Sequence, residues 1–184
     1  MIRKIAVYLG ATMPADHSYV DAVAELGRKM AERGLALVFG GSREGTMTVL
    51  ADAVLGHGGR AIGVFTKSLP PEFLYEGLTE TVITENLAER KRLMLERADA
   101  VVALPGSFGT WDELFDALEA SKIEMINGRA PKPIAILNVN GFYNGIVELM
   151  ERSVLDGFTT PQCARLLCLA NTVDELLGKL MAFH

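Results

Sequence analysis

The sequence is poor in cysteine and basic residues and contains no long apolar run. Its two cysteines, Cys163 and Cys168, are too few for a disulfide framework or a cysteine-based metal cluster, so a reducing compartment is expected. No run approaches the roughly 20 apolar residues that a membrane-spanning helix needs. We therefore expect a cytoplasmic protein with no membrane segment and no bound metal.

Positive charge is also scarce. The chain carries 18 lysines and arginines against 23 aspartates and glutamates, which gives a formal net charge of −5. Nucleic acids and anionic membranes both require a basic face, so neither is an expected partner. A small anionic ligand stays open, because a few local hydrogen-bond donors can hold one.

Short apolar runs alternate with helical patterns along the whole chain. The runs expected to be strands cover residues 4–9, 36–41, 61–65, 80–84, 100–105, 132–139 and 165–170. The patterns expected to be helices cover residues 16–33, 46–57, 86–97, 110–126 and 143–155, with a last helix from about 172. This alternation predicts an α/β fold, a single Rossmann-like domain over residues 1–184, with a doubly wound, mainly parallel sheet and helices on both faces. Ligands of such folds bind where the carboxyl ends of the strands meet the following loops.

Two of the predicted strand-to-helix turns are rich in glycine. They are "FGGSREGT" (39–46) and "LPGSFGT" (104–110). Glycine lets a ligand approach the main chain, and the N-terminus of the following helix favours an anion such as a phosphate. Neither turn has the spacing of a P-loop or a dinucleotide fingerprint. A mononucleotide or sugar phosphate is the expected ligand, and two ordinary tight turns are the alternative.

The predicted helix 86–97 carries two cations on its apolar stripe. Leu87, Met94 and Leu95 share one side of the helix, and Arg90 and Lys91 lie on that same side. Either the two long side chains reach past the apolar surface to water, or they point into the cleft toward an anion or a carboxylate. The pattern alone leaves both interpretations open.

Glu113 also allows two interpretations. Thr110 and Glu113 fit a capping box, in which Thr110 begins the helix and Glu113 bonds back to it. Alternatively, the Glu113 carboxylate lies at the mouth of the second glycine-rich turn and faces a sugar whose phosphate binds there. The spacing by itself favours the capping box.

The helix that follows, 111–126, is apolar on more than one face. Such a helix is buried on more than one side. It is therefore either a central helix of the chain's own core or part of an interface with a second copy.

The segments "ERKRLM" (89–94) and "PGSFGTWDE" (105–113) together resemble the ERKxxM…PGGxGTxxE signature of the Lonely Guy (LOG) family. The resemblance extends over most of the chain. Members are cytokinin riboside 5′-monophosphate phosphoribohydrolases and have sometimes been labelled lysine decarboxylases. Nothing in this sequence suggests a pyridoxal phosphate site, and no cofactor is expected.

The resemblance implies an enzyme that hydrolyses the N-glycosidic bond of adenosine 5′-monophosphate or an N6-modified derivative, releasing the free base and ribose 5-phosphate. Arg90 and Glu113 are the implied catalytic residues, and a homodimer is the implied assembly. The implied substrate- and phosphate-binding residues are Gly41, Ser42, Met47, Lys91, Gly106, Ser107, Gly109 and Thr110.

This sequence differs from the family pattern close to the implied site. Ser42 and Ser107 replace glycines of the two turns, and Thr48 stands where glycine is common. The preferred base, AMP or an N6-modified AMP, therefore stays open. A second class of function also stays open, that of a non-catalytic carrier similar to the molybdenum cofactor carriers, although a carrier has no need of both Arg90 and Glu113.

Overall fold

A computed structural model describes residues 1–183, so residue 184 of the predicted domain lies outside the described residues. Its strands are β1 (Lys4–Tyr8), β2 (Ala36–Phe39), β3 (Ala61–Thr66), β4 (Glu80–Thr84), β5 (Ala100–Ala103), β6 (Ile134–Leu137) and β7 (Leu167–Ala170). Its helices are α1 (His17–Glu32), α2 (Thr46–Gly56), α3 (Leu87–Glu96), α4 (Phe108–Ile126), α5 (Asn144–Leu155), α6 (Pro161–Ala164) and α7 (Val173–Met181).

The seven strands form one sheet in the order β4-β3-β2-β1-β5-β6-β7, and each neighbouring pair is parallel. The predicted α/β class and parallel sheet are therefore confirmed. The chain winds outward from β1 to β4 and then returns to place β5 on the other side of β1. Loops diverge at this reversal, and a crevice for a ligand opens at the carboxyl ends of β1 and β5.

Alternating residues of the central strands face two separate cores. In β5, Val102 packs in the core that also contains residues of α1, α2 and α7, whereas Val101 packs in the core that contains residues of α3 and α4. Both valines are fully buried. A strand covered on both faces must be apolar at every position, which explains why these strands read as unbroken apolar runs.

Three short elements were absent from the sequence prediction. A 3₁₀ turn at Pro71–Phe73 lies in the segment between β3 and β4, a second 3₁₀ turn at Val139–Gly141 lies between β6 and α5, and the four-residue helix α6 precedes β7. All three are shorter than the window in which helical periodicity can be recognised. Within residues 1–183, none of the helices is both long enough and apolar enough to cross a membrane.

Candidate active site

Three strand-to-helix loops meet at the carboxyl edge of the sheet. The N–H of Gly10, after β1, donates to the carbonyl of Pro105, after β5, at 3.3 Å. The hydroxyl of Thr46, at the start of α2, donates to the carbonyl of Gly10 at 2.6 Å. These bonds hold the two glycine-rich turns on either side of the β1–α1 loop.

The N-cap of helix α4 is Ser107, three residues earlier than Thr110, the N-cap that the capping-box pattern predicts. The carbonyl of Ser107 accepts the first bond of the helix, from Trp111 N–H, at 3.0 Å. Thr110 lies inside the first turn and is buried, so the predicted capping box is wrong. The first N–H groups of a helix have no partner within it. Three of the residues that carry them in α4, namely Ser107, Gly109 and Thr110, border a cavity at this edge of the sheet.

Glu113 bonds to Arg90 across the interface of α3 and α4. The Nη2 group of Arg90 donates to Oε1 of Glu113, and the two side chains are only 11% and 7% exposed. Arg90 therefore points into the protein toward a carboxylate, and the alternative in which it reaches out to water is wrong. Within residues 1–183, the Nε atom of Arg90 is buried without a hydrogen-bond partner.

The position of Arg90 follows from the local structure of α3. Oδ1 of Asn86, the N-cap, accepts from the N–H of Glu89 at 2.9 Å, and the Glu89 carboxylate accepts from Glu85 N–H at 2.8 Å. This fixed first turn aims Arg90 at the β2–α2 loop. There the flat guanidinium faces Gly40, where an added Cβ would lie 3.6 Å from its Cζ, Nη1 and Nη2 atoms.

The electrostatics of Glu113 reflect its burial. Burial raises the pKa of the Glu113 carboxyl above its ordinary value, and the positive charge of Arg90 opposes that rise. Burial likewise raises the pKa of Tyr8, at the end of β1, and the nearby negative charge of Glu113 adds to the effect. A perturbed carboxyl group that borders a crevice, as Glu113 does, is typical of active sites.

Lys91 forms a second link between the same two helices. Its ammonium lies 3.0 Å from Asp112 and 3.5 Å from Asp116, and its side chain is 19% exposed. Burial lowers the pKa of Lys91, but its bonds to Asp112 and Asp116 outweigh this and leave the pKa above its ordinary value. The lysine therefore points toward α4 and not toward the crevice.

The Arg90–Glu113 pair lines a cavity of about 420 Å³. The predicted site residues that border this cavity are Ser42, Met47, Arg90, Ser107, Gly109, Thr110 and Glu113. A smaller cavity of about 230 Å³ adjoins it through Gly10, Ala11 and Ser107 and is bordered by Gly106. The structure thus brings most of the predicted site residues together around one space.

Two predicted binding residues lie away from both cavities. Lys91 pairs with the acidic residues of α4, and Gly41 is a buried residue of the β2–α2 loop. Gly41 has φ of +69°, and a Cβ at this position would lie 3.2 Å from Cα of Gly63. Glycine is therefore required at position 41 because of the positive φ and the close approach of the Gly63 backbone. The sequence pattern alone cannot tell this requirement from one imposed by a bound phosphate.

Sequence reasoning missed the apolar residues that border the larger cavity. Leu69 and Phe73 come from the segment between β3 and β4, and Leu87 comes from the start of α3. The prolines in "SLPPEF" interrupt any periodic pattern there. The one available signal was the presence of apolar residues in a segment that proline keeps out of regular structure.

Gly106 and Gly109 allow a matched test of the second glycine-rich turn. A Cβ at Gly106 would lie 2.1 Å from Oγ1 of Thr110 and 2.9 Å from the backbone N of Gly10. We expect Gly106→Ala to displace the turn, lower the free energy of unfolding by about 1–3 kcal/mol and weaken binding of ribose 5-phosphate. Thermal unfolding and calorimetric titration measure the two effects.

Gly109→Ala is the control. A Cβ at Gly109 meets no atom within 4 Å, and the residue lies inside the first turn of α4. Alanine there is expected to leave the protein as stable or to stabilise it by about 0.5–1 kcal/mol, because it lowers the entropy lost on forming the helix. Equal destabilisation by both substitutions would contradict the described packing of Gly106.

Comparisons with known proteins agree with this geometry. A family model described as "Possible lysine decarboxylase" matches residues 47–180, a range that includes Arg90 and Glu113. The chain is 38% identical to the cytokinin riboside 5′-monophosphate phosphoribohydrolase LOG of Oryza sativa subsp. japonica, covering 97% of this chain and 72% of that protein. It is 34% identical to the phosphoribohydrolase LOG3 of Arabidopsis thaliana, covering 97% of this chain and 81% of that protein.

Solved structures share the fold at lower identity. The molybdenum cofactor carrier protein of Chlamydomonas reinhardtii superposes with a TM-score of 0.73 at 21% identity, covering 100% of this chain and 98% of the carrier. The molybdenum cofactor binding protein of Rippkaea orientalis gives 0.71 at 18% identity, covering 99% and 97% of the two chains. At these identities the likeness establishes the fold alone, whereas the sequence matches extend over nearly the whole chain at 34–38% identity. The chain therefore belongs to the Lonely Guy family, whose curated members are named cytokinin riboside 5′-monophosphate phosphoribohydrolases.

Proposed function

We propose that this protein hydrolyses the N-glycosidic bond of an adenosine 5′-monophosphate, with or without a substituent at N6, to give the free base and ribose 5-phosphate. The buried Arg90–Glu113 pair is the observation that carries the proposal. It lies on a cavity that is also bordered by the first turn of α4 and by the β2–α2 loop. A carrier has no need of a buried ion pair on its ligand cavity, since burying two charges is costly.

The N-terminus of α4 supplies the proposed phosphate site. Ser107, Gly109 and Thr110 border the cavity, and the free N–H groups and dipole of the helix favour an anion there. An anchored phosphate places the ribose within the cavity, where Glu113 also lies. Binding of the phosphate then positions the N-glycosidic bond next to Glu113, although the phosphate group does not touch that bond.

Glu113 is the proposed catalytic carboxylate. Cleavage of an N-glycosidic bond passes through a transition state with positive charge on the sugar, which an adjacent carboxylate stabilises. As the bond between C1′ and the base nitrogen breaks, a water molecule gives its hydroxyl group to C1′. The remaining proton of the water is matched by the proton that the base nitrogen takes up as the base leaves. Arg90 orients Glu113 through their hydrogen bond and is the proposed positioning residue for the carboxylate.

Chromatography of the reaction products tests this function. We expect free base from AMP and from N6-isopentenyl-AMP, and at least about 100-fold slower release from adenosine, which lacks the phosphate anchor. Equal rates with adenosine and AMP would contradict the phosphate site. Unchanged nucleotide in every sample would contradict the hydrolytic function and favour a carrier.

Lys91 is proposed to hold α3 against α4 and not to bind phosphate. The positive charge of Lys91 lowers the pKa of Glu113, so Lys91→Met raises that pKa further. Because the ionised carboxylate is the active form, activity is lost as pH falls through the pKa of Glu113. The acid limb of kcat/KM, which reports the free enzyme, therefore lies above pH 4.5, the ordinary value for glutamate, and Lys91→Met moves it to higher pH.

The pH–rate profile and the affinity for ribose 5-phosphate distinguish the two roles of Lys91. We expect a shifted acid limb with an unchanged dissociation constant for ribose 5-phosphate. Lys122→Met serves as the control, since Lys122 pairs with Glu119 within α4 and does not border the cavity. A weaker ribose 5-phosphate complex with an unshifted limb would identify Lys91 as a phosphate ligand.

We further propose that the protein is a homodimer that pairs through α4. Phe108, Phe115, Ile123 and Ile126 are 82%, 43%, 44% and 66% exposed. At 100° per residue they fall within about 80° of arc on one side of the helix. An exposed apolar stripe of this kind is typical of an interface, and a homodimer uses the same surface twice.

Light scattering coupled to size-exclusion chromatography tests the assembly. We expect twice the mass of the 19.9 kDa chain for the unmodified protein and a monomer for Phe115→Asp. Met181→Asp, at an exposed methionine of α7, whose buried residues pack in the other core, is the control and keeps the dimer. A Phe115→Asp protein with the mass of a dimer would contradict pairing through this stripe.

A further inference from the structure

The smaller cavity beside the nucleotide site is bordered by a different set of elements. Tyr19 of α1 and Phe142 of the β6–α5 loop border this cavity and not the larger one, whereas Arg90 and Glu113 border the larger one and not this one. The two spaces meet at the β1–α1 loop and at Ser107, the N-cap of α4. We name the smaller space the second cavity.

The aromatic side of the second cavity has a fixed position. The rings of Tyr19 and Phe142 pack edge to face with their centroids 6.2 Å apart, and Phe142 packs in the same way on the buried Tyr143, at 5.0 Å. The Nδ2 group of Asn140 donates to the hydroxyl oxygen of Ser18 at 2.8 Å and so joins the β6–α5 loop to the first turn of α1. The two elements that carry the rings are therefore bonded to each other, and the cavity needs no ligand to form.

The lining of the second cavity suits an uncharged group. Among the described residues that border it, none carries a charge, and the Thr46 hydroxyl already donates to a backbone carbonyl. The remaining surface includes the rings of Pro14 and Pro105 and the aromatic pair. An aromatic group fits such a surface well, because a third ring can pack edge to face on Tyr19 or Phe142.

The size of the second cavity suits one ring and not a whole ligand. Cavities that hold an entire small ligand usually measure about 300–1,000 Å³. The second cavity measures about 230 Å³ and opens onto the larger one at Ser107. A group that enters it is therefore attached to the part of the ligand that binds at the N-terminus of α4, which is the phosphate.

The topology of the sheet puts the two cavities where an extended ligand is expected. In doubly wound folds, dinucleotides bind across the crevice at which the strand order reverses. The reversal here lies between β1 and β5, and the loops that follow these two strands border both cavities. A ligand with its base and ribose in the larger cavity and a further ring in the second cavity spans that crevice, with its phosphate between them.

We propose that the second cavity binds an aromatic group joined to the phosphate of the nucleotide. The ligands of this protein then include adenosine 5′-phosphate derivatives that carry a ring on the phosphate, besides the free monophosphate. This inference rests on the proposed function, because it takes the phosphate to bind at α4. Such a derivative has one negative charge fewer than AMP at neutral pH, but it keeps phosphate oxygens that the helix N–H groups can bind.

The methyl ester and the phenyl ester of the AMP phosphate test this inference. The two ligands have the same charge and differ only in the ring. We titrate both by calorimetry into Glu113→Gln, which keeps the phosphate site and does not consume the ligand. The phenyl ester is expected to bind about tenfold or more tightly than the methyl ester, in line with the worth of several buried carbon atoms.

Variants of the aromatic pair locate the ring. Phe142→Ala and Tyr19→Ala, each made in Glu113→Gln, are expected to lower the preference for the phenyl ester to about threefold or less. Phe158→Ala is the matched control, because Phe158 is 85% exposed and borders neither cavity, and it is expected to keep the full preference.

Titration of AMP itself separates a failure of this inference from a failure of the proposed function. If AMP binds and the phenyl ester binds no more tightly than the methyl ester, the inference is overturned and the proposed function stands. A preference for the phenyl ester that neither Phe142→Ala nor Tyr19→Ala reduces also overturns it, since the ring then lies elsewhere. Absence of binding by all three ligands, to the unmodified protein as well as to Glu113→Gln, contradicts the phosphate site and the inference together.

Discussion

Glu113→Gln is expected to lower kcat for base release on the order of 10³-fold while the nucleotide still binds. Glutamine keeps the size of the side chain and keeps an oxygen that can accept the hydrogen bond from Arg90. It removes the negative charge that stabilises the positive charge developing on the ribose. Because the phosphate site at α4 is untouched, the dissociation constant for AMP is expected to change by less than a few fold.

Product chromatography and calorimetric titration of the same preparation measure both quantities. Glu119→Gln is the matched control, since Glu119 lies on the same helix with an exposed side chain that pairs with Lys122. The control is expected to keep the full rate. A Glu113→Gln protein that binds AMP and releases base at an undiminished rate would remove Glu113 from the reaction.

The second large effect is expected on stability. Replacing one member of a buried ion pair leaves the other charge buried without compensation, at a cost of about 3–5 kcal/mol. Arg90→Met and Glu113→Leu are each expected to lower the free energy of unfolding by this amount. With both substitutions together, no charge stays buried, and much of the lost free energy returns.

Chemical denaturation of the two single variants and the double variant forms a cycle that measures this coupling. The double variant is expected to be more stable than either single variant and to release no base. That combination would show that the pair is kept for the reaction and not for the fold. Additive losses in the double variant would mean that Arg90 and Glu113 contribute independently, contrary to their hydrogen bond.

The sequence was a good guide to the sheet and to the two glycine-rich turns. Strands covered on both faces are apolar throughout, so β1, β2, β3, β5 and β6 are visible as short apolar runs. Glycines directly after such runs mark loops at the carboxyl edge of the sheet. These features depend on neighbours in the chain, and local patterns therefore predict them.

The predictions that were wrong depend on contacts between distant residues. The capping-box pattern placed the N-cap of α4 at Thr110, but Ser107 is the N-cap and Glu113 bonds instead to Arg90, 23 positions away. The pattern is local and contains no information about that partner. Lys91 lies next to Arg90 in sequence and yet points to Asp112, because adjacent residues of a helix face different directions.

The contacts of the segment between β3 and β4, residues 67–78, could not be predicted for a related reason. Its backbone bonds join Phe73 and Tyr75 to the β2–α2 loop more than one element away, and prolines remove any periodic signal from it. The sequence showed that a segment without periodic pattern separates β3 from β4, but it did not show which residues that segment contacts. The apolar side of the cavity became visible only when the loop and the segment were seen together.

A single-turnover experiment tests whether the protein hydrolyses its nucleotide or only binds it. N6-isopentenyl-AMP is mixed with an excess of the protein, and the quenched mixture is separated at increasing times. We expect the nucleotide to disappear as free base and ribose 5-phosphate appear in equal amounts, with no nucleoside formed on the way. Recovery of intact nucleotide from the bound complex at all times would contradict hydrolysis and identify the protein as a carrier.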